Sequence, residues 1–353
     1  MAVFPWLFFF FPAMKKISLT ALIISFLFLT LHSCQTSVNT EYTEEVISQK
    51  IYLESWNEGS SKSAIEDFVK KTTTENSPDF IQEKDRIAVF DNDGNLWGEQ
   101  PFYFQLAYAL DYVKKEAPNH PDWAKDPILK AAMDGDVMAV MAGGEKALID
   151  VVMKSHAGMT EDQFSAAVKD WLSTSKHPDT GRPYNRMIYQ PMLELLEYLR
   201  AHGYKTFIVS GGGIDFLRVW AEEAYGIPPY QVVGSSIKAK YEEVDGKFQV
   251  VKIPELNFID DKAGKPVGIH QHLGVKPVIA SGNSDGDFQM LEYTTNQPGA
   301  RLGIILHHSD SVREYAYDSL SPIGNLKRGL LEGPGRGWVI IDMAKDWSTI
   351  YPN

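Results

Sequence analysis

Asp91-Asn92-Asp93-Gly94 places two carboxylates two residues apart, directly after the apolar run Ile87-Ala88-Val89-Phe90. An unbroken apolar run closed by Asp-x-Asp-Gly predicts a buried strand that stops at a turn. Residues i and i+2 of a strand point to the same side, so both carboxylates can converge where the strand gives way to a loop. One can then attack as a nucleophile while the other moves a proton. The same four residues also suit a solvated surface turn. The reading therefore depends on what other segments bring to that volume.

Two further loops have the same setting. Lys205 to Val209 reads as a buried strand and runs into Ser210-Gly211-Gly212-Gly213, with a helix from Ile214 to Tyr225 behind it. A hydroxyl and free N–H groups at a helix start suit a phosphate oxygen, although a plain N-cap serine looks the same. Pro277 to Ser281 is another apolar run, entering Gly282-Asn283-Ser284-Asp285-Gly286-Asp287 ahead of a helix from Phe288 to Tyr293. Around these, helical periodicity marks Tyr52 to Thr72, Phe102 to Lys115, Lys146 to Lys154, Glu161 to Ser173 and Pro191 to His202. Val232 to Lys240 and Lys247 to Lys252 alternate like strands about Asp245-Gly246, a hairpin signal, and Leu302 to Leu306 and Val339 to Ile341 read as final strands. Strands alternating with helices imply an α/β fold with a parallel sheet covered on both faces. Ligands of such sheets bind beyond the carboxyl ends of the strands, where all three loops fall.

Asp91-Asn92-Asp93-Gly94, Ser210-Gly211-Gly212, a lysine near 265 and Gly282-Asn283-Ser284-Asp285-Gly286-Asp287 resemble the four ordered motifs of the haloacid dehalogenase superfamily, closest to its phosphoserine-phosphatase-like branch, over about residues 85 to 310. The resemblance implies a Rossmann-like core with a helical cap inserted after the first core strand. It implies that Asp91 attacks phosphorus to form an aspartyl-phosphate and that Asp93 protonates the leaving alcohol and later activates water. Ser210 and Gly211 would bind the phosphate. Asp91, Asp93 (through its backbone carbonyl), Asn283 and Asp287 would hold Mg²⁺, a hard cation suited to a few carboxylates plus phosphate and water. Phosphoryl transfer needs positive charge around the phosphate, and the ion lets an anionic nucleophile approach an anionic ester. Lys265 best matches the family lysine, with Lys262 the alternative. Asn283 departs from the usual Asp and would ligate without a charge, or shift weight to Asp285. Asn95 departs from a common Thr. Glu99 lies near the place of a cap carboxylate that meets a substrate amine. Asp93, absent from true dehalogenases, favours a phosphate ester over a carbon–halogen bond.

The formal net charge of −12 over 353 residues, from 34 basic and 46 acidic side chains, argues against a nucleic-acid partner. Met14-Lys15-Lys16, the apolar stretch Ile17 to Leu31 and Leu31-His32-Ser33-Cys34 read as a secretory signal, with Met14 the expected start. Cys34, the only cysteine, resembles a bacterial lipobox cysteine. By that resemblance residues 1–34 are a signal peptide, Cys34 carries lipid, and the protein is held at the outer membrane or is periplasmic, touching membrane only through this anchor.

The expected organisation is then a tether and N-terminal helix (35–84), a core (85–96 and 187–353) and a helical cap (97–186). The expected activity is Mg²⁺-dependent hydrolysis of a small phosphate monoester. A phosphotransferase on the same scaffold and a non-catalytic binding lipoprotein are the alternatives. His270 with His272, His307 with His308, and the aromatic group Trp97, Phe102, Tyr103 and Phe104 read as structural.

Overall fold

The computed structural model describes residues 51–352. The signal segment and Cys34 lie outside the described residues. The chain begins with helix α1 (Ser60–Thr73), strand β1 (Ile87–Phe90) and five helices: α2 (Phe104–Glu116), α3 (Pro127–Asp134), α4 (Val137–Ala142), α5 (Gly144–His156) and α6 (Glu161–Thr174). Helix α7 (Gln190–Ala201) leads into β2 (Lys205–Gly213), the short helices α8 (Ile214–Arg218) and α9 (Ala221–Tyr225), and the hairpin β3 (Val232–Val244) with β4 (Lys247–Phe258). Then come α10 (Gly264–His272), β5 (Ile279–Gly282), α11 (Phe288–Thr295), β6 (Leu302–His307), α12 (Arg328–Glu332), β7 (Val339–Asp342) and α13 (Met343–Asp346).

The strands form one sheet in the order β4-β3-β2-β1-β5-β6-β7, parallel except for β4 against β3. Strand β1 is central and every residue of it is buried. Its alternating side chains divide between two cores: Ala88 and Phe90 join the large cluster on one face, Ile87 and Val89 the cluster on the other. From β1 the chain builds outward through β2 and β3, then returns to place β5 on the opposite side of β1. That reversal opens a crevice at the carboxyl end of β1, the place where ligands of open α/β sheets bind.

Three sequence expectations shift. The first helix starts at Ser60 rather than Tyr52, because Leu53 and Trp56 sink into the core instead of riding on a helix. Trp56 donates to the Pro191 carbonyl at 2.9 Å and packs edge-on against Trp347. The Asp245-Gly246 turn forms as expected, with both residues in the left-handed region, but the hairpin strands are longer than their alternation indicated. Strand β2 runs through the whole glycine run to Gly213, held by pairing of Ser210 with Gly234 and of Gly213 with Ser235 across a bulge. Helices α2 to α6 occupy the stretch expected to form a cap, and α5 and α6 lie against β4.

Trp56→Ala is expected to cost about 3–5 kcal/mol by deleting a buried indole and its hydrogen bond. Urea denaturation measures this. A loss below about 1 kcal/mol would show that residues 51–56 are peripheral to the fold.

Candidate active site

Asp91 directly follows β1, its N–H donating to the Ser281 carbonyl of β5 at 2.9 Å. Its carboxylate is only 7% exposed. Lys265, in the first turn of α10 and 2% exposed, donates to Asp91 Oδ1 at 2.6 Å and to the Val209 carbonyl at 2.5 Å, and lies 3.1 Å from Asp287 Oδ1. Burial opposes the lysine's charge, but Asp91, Asp287 and Asp260 outweigh it and hold the ammonium protonated. Of the two candidate lysines, Lys265 is the one bonded to Asp91. Lys262 is exposed on the cavity lining, paired loosely with Asp261 at 3.6 Å.

The turn after β1 is stapled from several sides. Gly94 takes φ +72°, and a Cβ there would collide with Asn283 Nδ2, so this position requires glycine. Asn95 donates to the Asp91 carbonyl at 3.0 Å and accepts from Ser281 Oγ at 3.0 Å. The Asn in place of Thr thus acts as a brace. Tyr225 donates to Asn92 Oδ1 and His308 Nε2 to the Gly94 carbonyl at 2.6 Å. Trp97, buried and stacked on Trp220, donates its indole N–H to Asp93 Oδ1 at 2.7 Å. Burial pushes the Asp93 carboxyl up to about 6, against that hydrogen bond.

Asp91 and Asp93 line one cavity together with Gly211, Gly212, Gly213, Lys265 and Asp287. A Cβ on Gly212 would lie 3.2 Å from Ser210 Oγ and 3.3 Å from Asp93 Oδ2, so the serine hydroxyl and the second carboxylate face the same small space. Ser210 is not at a helix start, however. It lies inside β2, its Oγ accepting from Gly212 N–H at 3.0 Å, and the next helix begins only at Ile214. A phosphate here would meet glycine N–H groups of a bulged strand end rather than a helix dipole. Gly213 N–H is already bound to Gln105 Oε1 at 2.7 Å, and Gln105 in turn meets His156 Nε2 at 3.1 Å.

The third loop sorts its acids. Asp287 Oδ2 accepts from the N–H groups of Asn283 and Ser284, and its Oδ1 faces Lys265, so it serves the loop and the lysine before any cation. Asp285 turns away: its two oxygens accept from the N–H groups of Lys327, Arg328 and Gly329, capping α12, which removes it as a metal-ligand candidate. Glu99 is buried, and its Oε1 accepts from Asn283 Nδ2 at 2.8 Å and Tyr317 OH at 2.7 Å. Through Oε1 it holds Asn283 and Tyr317, and it lines the cavity beside Asp91 and Asp93. Its carboxyl is pushed well above its ordinary value by burial, against the Tyr317 hydrogen bond.

This set fits Mg²⁺ in one respect above all. Asn283 Oδ1 is buried and has no hydrogen-bond partner, because Glu99 claims the amide nitrogen and leaves the oxygen as a donor toward a cation. Asp91 is pushed well up by burial and then by Asp287, the condition a bound divalent ion would reverse. Among the described residues no three carboxylate, imidazole or thiolate side chains form a ready cation cage. An ion here would need Asp91 together with the Asn283 amide oxygen and the Asp93 carbonyl. Sequence reasoning missed Gln105 and Tyr317, which lie far along the chain from what they hold, read His308 as structural, and saw in Trp97 only packing. The exposed His270 and His272 carry no site.

Glu99 and Asn283 exchange a charge for an amide, which makes a charge swap informative. Asn283→Asp alone sets two carboxylates against each other and is expected to cost about 1–3 kcal/mol. Adding Glu99→Gln restores a donor and is expected to return most of that loss. Thermal unfolding of the four proteins in the cycle measures the coupling. Simple additivity would sink the idea that Glu99 orients Asn283.

A family model described as haloacid dehalogenase-like hydrolase matches residues 88–292, more than half of the 353 residues. Among solved structures, a conserved functionally unknown protein from Anaerococcus prevotii DSM 20548 is 16% identical over 74% of this chain and 89% of that one, with a TM-score of 0.50. A protein with unknown function from Bordetella pertussis Tohama I is 17% identical over 73% and 98%, with a TM-score of 0.47. A probable phosphoserine phosphatase from Vibrio cholerae is 17% identical over 67% and 62%, with a TM-score of 0.36. At 16% identity the likeness to the Anaerococcus prevotii structure speaks for the fold alone. None of the curated sequences compared with the chain matches it. The family model spans the first strand, the glycine-rich strand end, the lysine helix and the Asn283 loop, the parts that meet at the cavity, and the chain belongs to the haloacid dehalogenase-like hydrolases.

Proposed function

We propose that the protein is a Mg²⁺-dependent phosphatase that hydrolyses a small phosphate monoester through an aspartyl-phosphate on Asp91. The observation that carries this reading is the shared cavity wall of Asp91 and Asp93, with Lys265 bonded to Asp91 at 2.6 Å.

In the first half-reaction a carboxylate oxygen of Asp91 attacks phosphorus and the bond from phosphorus to the ester oxygen breaks. Asp93 gives its proton to the departing alkoxide. The raised pKa of Asp93, about 6, suits that donation, since a carboxyl of ordinary strength would be almost wholly ionised near neutrality. In the second half-reaction Asp93 takes a proton from water as the water attacks the same phosphorus, releasing inorganic phosphate and the free Asp91 carboxylate. Lys265 opposes the burial that disfavours ionised Asp91 and aims its carboxylate, and the Gly211 N–H is offered as a donor to a phosphate oxygen. A bound Mg²⁺ supplies the positive charge that screens nucleophile from substrate. Trp97 fixes the carboxyl of Asp93 through its indole N–H.

With p-nitrophenyl phosphate, turnover is expected to require Mg²⁺, to vanish with EDTA, and to fall by about 10³-fold or more in Asp91→Asn. Absence of turnover with any divalent ion would favour the binding-protein alternative. Acceptor alcohols that raise p-nitrophenol release without matching phosphate would indicate phosphoryl transfer.

The sequence of residues 14–34 supports the companion proposal that the protein is exported and carries lipid on Cys34. Incorporation of labelled palmitate in a bacterial host, lost in Cys34→Ser, is the expected result. Unlabelled wild-type protein would remove the anchor from the proposal.

A further inference from the structure

The cavity above the two aspartates has a volume of about 690 Å³, within the roughly 300–1,000 Å³ of pockets that enclose drug-sized ligands. A phosphate takes up only its floor. The remaining wall is built from Met141 of α4, Leu148 and Val152 of α5, Ile237 of β3 and Ile323. Leu148 and Val152 are four residues apart and so share a helix face. Two more apolar side chains of the same cavity, Met138 and Leu256, are largely solvent-exposed and carry the greasy surface out to the mouth.

The charges along this wall are as informative as its carbons. Among the described residues no arginine lines the cavity, and its lysines are Lys265 and Lys262. Lys265 is already engaged by Asp91 and Asp287, and Lys262 is an exposed residue beside Asp261. Asp215 is paired with Lys252 at 2.9 Å. His156 is held neutral near neutrality, burial lowering it to about 4. A substrate carrying a carboxylate or a second phosphate would have to desolvate that anion with no free buried cation to receive it, an expensive step. A polyhydroxylated leaving group would lose water hydrogen bonds against a mainly aliphatic wall.

We infer that the alcohol released by this enzyme is apolar, so that the substrate class is the phosphate monoesters of hydrocarbon-chain alcohols rather than phosphorylated amino acids, sugars or nucleotides. This rests on the phosphatase reading above. The phosphate sits at Asp91 and the chain runs along α5 and β3 toward Met138.

The test is a series of n-alkyl phosphates, ethyl to octyl, kept below their micelle concentrations, assayed by phosphate release with Mg²⁺ beside phosphoserine, phosphoethanolamine, glycerol phosphate and p-nitrophenyl phosphate. The specificity constant is expected to rise about fourfold per methylene until the chain reaches the mouth, the fold-change that about 0.8 kcal/mol per buried CH₂ represents. In Leu148→Asn and Val152→Asn the octyl-to-ethyl ratio is expected to drop at least about tenfold. Because the ethyl ester is the internal reference, a general loss of folded enzyme lowers both rates and leaves the ratio alone. A flat alkyl series, a preference for phosphoserine or phosphoethanolamine, or an unmoved ratio in both variants overturns apolar selection while leaving the phosphatase standing. No turnover of any ester, p-nitrophenyl phosphate included, overturns the phosphatase reading and this inference with it.

Discussion

One buried ammonium ties the site together. Lys265 reaches from α10 to the carboxylate after β1, to a carbonyl near the end of β2 and to the carboxylate that closes the loop after β5. Three neighbouring strands thus present their carboxyl ends to a single charge. Removing a lysine from water is costly, and only the surrounding acids make it favourable. The arrangement is better understood as fixing geometry than as adding stability. A carboxylate held at 2.6 Å by a donor that cannot leave its pocket needs little reorganisation when charge moves. The converse follows from the same electrostatics. Asp91, Asp93, Glu99 and Asp287 line a volume in which Lys265 is the buried cation, so the volume is short of positive charge. That shortage is what a divalent ion and the family chemistry both answer.

Around this tie, the loop after β1 is held by side chains from several directions. Asn95, Ser281, Tyr225 and His308 each bond to its backbone or to its neighbouring residues, and Gly94 takes the one backbone conformation that brings the turn against Asn283. His308 is itself stacked on Tyr317, which bonds to Glu99, which bonds to Asn283. The chain of contacts links the carbonyl of Gly94 to the amide of Asn283. Where the motif resemblance leads one to expect an acid at position 283, an amide stands, one contact from the buried carboxyl of Glu99. The amide then presents oxygen rather than nitrogen inward.

Much of this was legible because it is local. The apolar run of β1, the Asp-x-Asp spacing, the Asp-Gly turn and the order of the loops depend on residues close in sequence, and each falls where periodicity and turn chemistry put it. Lys265 was separable from Lys262 only by resemblance, since burial is not written in composition. The misreadings share one cause. Ser210 was expected at a helix start, but pairing with Gly234 carries the strand onward through the glycines. Asp285 looked like a ligand, but three backbone N–H groups some forty residues downstream claim it. Trp97 reads as packing until the structure aims its N–H at Asp93. In each case a partner that only the fold brings in outcompeted the local reading, distant in sequence for Ser210 and Asp285 and four residues away for Trp97, and nothing in a single sequence encodes which partner arrives.

The two ends of the cavity come from different parts of the chain and answer to different physics. The floor is made by strand ends and α10, where position is fixed to within a hydrogen bond by buried charge. The upper wall is made largely by α4, α5 and the β3–β4 hairpin, where aliphatic contact tolerates substitution of similar volume. On the phosphatase proposal, a change in the floor would alter whether phosphorus is attacked, whereas a change in the wall would alter which alcohol lies above it. The wall elements also touch one another, with α5 and α6 against β4, so the hairpin that extends β3 beyond the core sheet is part of what shapes the space over the aspartates. On that proposal selectivity belongs to the helical insert and the hairpin acting as one surface, and the chemistry beneath it can stay constant while that surface changes.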